Sequence, residues 1–140
     1  MTELAKKRPE FRNIHLVRDV RTYRMPPAAI VSILHRISGI IMFVLLPFIV
    51  WMLDRSISSE ISFDAFTAVF RGDYGWFFKL MALALIWSYL HHFIAGLRHL
   101  WMDVSHTAVN KGFGRKSAVT VLVLSIALTV VLGAKLFGVY

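Results

Sequence analysis

Three apolar stretches alternate with polar ones along the chain, and each is long enough to cross a bilayer as a helix. Ile37 to Leu53 alone gives 17 uncharged residues, roughly 25 Å of helix, so a first span is expected over about 28–53. A second is expected over about 76–101, where Leu80 to Leu97 carries no formal charge, and a third over about 117–136, a run rich in Val and Leu. Met25-Pro26-Pro27 stops any earlier helix and sets Pro27 in the first turn of a new one. Pro47 predicts a kink inside the first span. The polar connection over 54–75 holds Asp54, Glu60, Asp64 and Asp73 against Arg55 and Arg71, and Ser62 to Phe66 predicts a short amphipathic surface helix. The expected fold is all-α: an integral membrane protein with three transmembrane helices over 28–140, behind a polar arm over 1–27, with no internal repeat.

Composition strengthens the membrane reading. The 140 residues are 57% hydrophobic and 17% charged, too apolar for a soluble domain of this size. There is no cysteine, which excludes disulfides, iron–sulfur clusters and thiolate zinc sites within the chain and leaves histidine to hold any metal. The net charge of +8 gathers beside the apolar runs: Lys6, Lys7, Arg8, Arg12, Arg18, Arg21 and Arg24 before the first, Lys111, Arg115 and Lys116 before the third. With no nucleic-acid motif, a membrane surface explains these cations better than nucleic acid does. The positive-inside rule then places the N-terminus in the cytoplasm and the C-terminus on the outer side. Residues 1–27 show neither an apolar signal region nor a cleavage site, so no signal or transit peptide is expected.

Candidate chemistry lies within the spans. His91-His92-Phe93-Ile94-Ala95-Gly96-Leu97-Arg98-His99 carries three histidines and an arginine where lipid-facing helices hold aliphatic residues. At about 100° per residue His92, Gly96 and His99 share one face, with Ser88 above and Ala95 beside them. The side-chain-free Gly96 makes this a shallow groove in which a flat ligand held by His92 could approach the backbone, and haem has that shape. On the first span Ser32, His35, Arg36 and Gly39 follow i, i+3, i+4, i+7 and form one polar stripe, facing protein or a site and not lipid. Both polar segments lie toward the inner end, with His92 about 10 Å deeper than His99. A haem with its iron at His92 would point its anionic propionates toward His35, Arg36, Arg98 and His99. Read singly, these groups also suit interhelical hydrogen bonding or snorkelling.

Ser32-Ile33-Leu34-His35-Arg36-Ile37-Ser38-Gly39, with His92 through Asp103, resembles the cytochrome b subunit of succinate dehydrogenase, the larger membrane anchor of respiratory complex II; Arg8-Pro9 and Pro26-Pro27 are similar too. The resemblance implies half of a helical bundle completed by a second three-helix anchor subunit, with the flavoprotein and iron–sulfur subunits on the inner face of a bacterial inner membrane. By position, His92 matches the family's axial haem ligand, four residues before the glycine of H-x-x-x-G-x-R-H. Ser32 and Arg36 match its quinone-site serine and arginine, and His35 a haem-propionate contact. His91 is an additional histidine beside the matched position.

The function so implied is an electron-transport subunit that is not catalytic alone: it holds one haem b, shared with the partner anchor, and part of a site where ubiquinone is reduced. A haem-free scaffold binding membrane lipid and a two-haem cytochrome b using His91 or His35 are the competing readings. A half-transporter is disfavoured because no broken pair of helices stands out.

Overall fold

The computed structural model describes residues 15–105 and 110–139; most of the basic arm lies outside them. Among the described residues every regular element is helical: α1 (Leu16–Thr22), α2 (Pro27–Val44), α3 (Leu46–Ile57), α4 (Glu60–Val69), α5 (Gly75–Val104) and α6 (Lys111–Leu136). Three of them, α2, α5 and α6, are long and apolar enough to cross a membrane. The chain is a multi-pass membrane protein.

Local chemistry sets the boundaries. Pro26 is extended and Pro27 opens α2, where its missing N–H removes nothing because first-turn donors have no helical acceptor. The interruption expected from Pro47 falls two residues earlier, at Leu45, whose ψ of 6° separates α2 from α3. Proline excludes helical geometry most strongly upstream of itself, so the helix gives way before the ring and restarts with it in the first turn. The short surface helix also forms, over a longer range than Ser62 to Phe66: Ser59 and Ser62 cap α4 reciprocally, at 3.1 and 2.9 Å. Phe66 and Phe70 then clasp it to Trp51 of α3 and Phe78 of α5.

Packing is close and uses small residues. The buried stripe of α5 is Leu85, Ser88, His91, Ala95 and Arg98, facing Val31 and Ser38 of α2 and Ala118, Val121, Ser125 and Gly133 of α6. Serine, alanine and glycine let helices approach in lipid, where association depends on contact and hydrogen bonds and not on escape from water. Large side chains such as Phe43 and Val123 point outward, as lipid-facing residues do.

At the start of α5, a Cβ on Gly75 would collide with the Phe70 backbone carbonyl, a group that cannot swing aside. Gly75→Ala is therefore expected to destabilise the α4–α5 corner by about 1–3 kcal/mol, the usual cost of overpacking, read as lower resistance to thermal unfolding in detergent.

Candidate functional site

The polar segments meet where α2 and α5 run antiparallel: His92 lies against Gly39, and His35 against Gly96. The His92 ring is held from its Nδ1 side. That nitrogen is 3.0 Å from the His35 carbonyl oxygen and 3.2 Å from Ser38 Oγ, while the Ser38 hydroxyl donates to the same carbonyl at 2.8 Å. A carbonyl only accepts, so Nδ1 must carry the proton, and the ring's lone pair is left on Nε2. His35 stacks on His92 with centroids 4.0 Å apart and planes 21° apart, and His99 lies 5.1 Å from His35. Stacking covers one face of the imidazole but not the in-plane lone pair. Gly39 completes the cradle, because a Cβ there would come within 3.2 Å of His92 Cε1.

The arrangement differs from the sequence-based picture in two places. The groove expected over Gly96 is filled by His35, whose Nε2 lies 3.6 Å from the place a Gly96 Cβ would take. Ser88 and Ala95 are fully buried on the helix-packing face with His91, so they do not flank an open groove. Arg98 also stands apart from the other candidates. Its Nε donates to Ser117 Oγ at 3.0 Å and its Nη2 to the Gly114 carbonyl at 3.2 Å, which turns the guanidinium onto α6. The serine hydroxyl and the Gly114 carbonyl, near the start of α6, are the acceptors that hold it there.

Ser32 is half-buried and Arg36 exposed, one turn apart on α2 beside the histidines. Among the described residues neither is engaged in a hydrogen bond or ion pair, so both are free to meet a ligand or partner. Adjacent in sequence, His91 and His92 face different surroundings. His91 is 0% exposed, with Nδ1 3.1 Å from Ser125 Oγ and its ring stacked on Trp87 at 5.5 Å, and its Nε2 has no hydrogen-bond partner among the described residues. Sequence reading passed over Ser38. Its position three residues after His35 was the available signal, since a helical serine there reaches back to the His35 carbonyl.

The family model describing the "Succinate dehydrogenase/Fumarate reductase transmembrane subunit" matches residues 5–132. The chain belongs to this family. Within it, the chain is 36% identical over 115 residues to the succinate dehydrogenase cytochrome b556 subunit of Coxiella burnetii, covering 82% of this chain and 90% of that one. It is 32% identical over 87 residues to the subunit of the same name from Paracoccus denitrificans, covering 62% and 65% of the two chains. The sequence resemblance to the cytochrome b subunit of complex II thus holds over most of the chain.

Proposed function

We propose that this membrane subunit holds haem b at His92 and forms part of a ubiquinone-reduction site with Ser32 and Arg36, within an assembly that oxidises succinate. The observation that carries the reading is the His92 ring: Nδ1–H is fixed by the His35 carbonyl and Ser38, and Nε2 keeps its lone pair. A backbone carbonyl on the far nitrogen is the usual way a metal-ligating imidazole is oriented and made more basic. Among the described residues no three His, Cys, Asp or Glu side chains gather as a metal site, so iron at His92 would have to arrive with ligands of its own. A porphyrin meets that condition, and the residues present fit it.

Haem b, when bound, supplies a one-electron carrier within the membrane. His92 would ligate the iron through Nε2. His35, Arg36 and His99, toward the same helix ends, would neutralise the propionates; Arg98, engaged on α6, is left out of this group. At the quinone, Ser32 would donate to a carbonyl oxygen and Arg36 would stabilise the negative charge that develops as two electrons and two protons are taken up. The electrons would come through a flavoprotein and an iron–sulfur subunit docked at the inner face. The N-terminus would then be cytoplasmic and the C-terminus outside, as the basic flanks favour.

The test is a reduced-minus-oxidised spectrum of the assembly purified through this chain, which should show one low-spin b-type haem. A missing Soret band would leave a haem-free scaffold. A low-spin haem b would need a further protein ligand besides His92. The other ligand should be a histidine of the partner anchor. Expressed alone, this chain should therefore yield no stable six-coordinate haem at one per monomer; recovering one would contradict the shared site.

A further inference from the structure

Away from the histidines, Ile94, Arg98 and Trp101 form a second stripe on α5, about 160° round the helix from His92, Gly96 and His99. With Phe113, Lys116, Ser117, Thr120 and Val121 of α6 they line a groove of about 460 Å³, open along the side of the bundle. Its polar end is cationic. Arg98 is only 8% exposed, yet its two partners, Ser117 Oγ and the Gly114 carbonyl, are neutral, and among the described residues no carboxylate lies within ion-pairing distance. Lys116 adds a second charge, and Lys111 and Arg115 share the opening turns of α6, which hold no acid. A guanidinium removed from water with its charge uncompensated calls for an anion.

We propose that this groove seats one anionic phospholipid, with the headgroup phosphate against Arg98 and Lys116 and an acyl chain along Ile94 and Val121. The charge is complementary, and Ser117 and Gly114 hold the guanidinium in place, so little ordering is left for binding to supply. The walls are those an acyl chain requires. Trp101, 58% exposed at the groove's edge, has the amphipathic ring found at headgroup level in membranes. A carboxylate on a partner subunit would satisfy the charge but not the apolar length that opens between two spanning helices. The site stands independently of the haem reading.

The test places the delipidated assembly in vesicles of phosphatidylcholine containing either brominated phosphatidylglycerol or brominated phosphatidylcholine. Quenching of Trp101 is taken as the difference between the unaltered assembly and Trp101→Phe. The brominated phosphatidylglycerol should quench at several-fold lower content than brominated phosphatidylcholine, with the preference falling about fivefold in Lys116→Gln and again in Arg98→Gln. If Arg98→Gln does not assemble, Lys116→Glu, altered at an exposed position, should abolish the preference by itself. Equal quenching by the two lipids overturns the proposal, as does a preference that survives these changes. So does an absence of quenching accompanied by carbodiimide cross-linking of Lys116 to a partner subunit.

Discussion

His92→Ala is expected to remove the low-spin haem signal from the assembled complex, while His91→Ala keeps the spectrum and loses stability. The two imidazoles are adjacent in sequence but serve different surfaces. On His92, Nδ1–H is bound to the His35 carbonyl with Ser38 beside it, so substitution removes the Nε2 lone pair proposed to hold iron. His91 lies between helices against Ser125 and Trp87, where no planar ligand could reach it. Its replacement by alanine leaves a cavity and removes one of the two hydrogen bonds of the Ser125 hydroxyl, a cost of about 2–4 kcal/mol to helix packing. Reduced-minus-oxidised spectra and thermal unfolding, taken on the same preparations, separate the effects. If His91→Ala abolished the haem and His92→Ala spared it, the assignment of the ligand would be reversed.

Arg36→Leu should produce the largest loss of quinone reduction from a residue that does not ligate iron. Arg36 projects from α2 unpaired among the described residues, so its charge is available to a reduced quinone ring and not consumed internally. Removing a donor aimed at developing negative charge costs about 2.7–4 kcal/mol in comparable sites, or about a hundredfold or more in rate. Ser32→Ala removes one neutral hydrogen bond, worth about 1 kcal/mol, or about fivefold. Both variants should keep succinate oxidation by an artificial dye that accepts electrons from the soluble subunits. Loss of the dye reaction as well would indicate failed assembly, and wild-type quinone reduction by both would make the Ser32–Arg36 stripe structural.

What the sequence conveyed and what it withheld divide along physical lines. The three spans follow from apolar length, and the start of α2 from Pro26-Pro27, because both are local properties. The kink that Pro47 predicts in the first span takes the form of a break at Leu45, since a proline acts most strongly on the turn before it. Helical spacing separates the faces of His91 and His92, but it does not say which face meets another helix. That required α6, whose Ala118, Val121 and Ser125 draw the His91 face inward. The Gly96 groove shows the same limit. An absent side chain reads as space until a ring from another helix fills it, and His35 does. Arg98 could turn either way from its backbone, and only the position of Ser117 and Gly114 settles it.

The aromatic clasp at the far end of the bundle bears on the order in which the chain can be assembled. All its partners lie between Phe48 and Phe78, so the corner can close as soon as the start of α5 leaves the ribosome. The contact of His92 with the His35 carbonyl joins positions 57 residues apart and must wait for most of α5 to insert. A corner already closed confines the incoming helix to an antiparallel path beside α2 and removes much of the search from that later encounter. The outer aromatics thereby act as a folding jig: their weakening would show first as a lower yield of inserted protein, with the molecules that do form retaining their spectra.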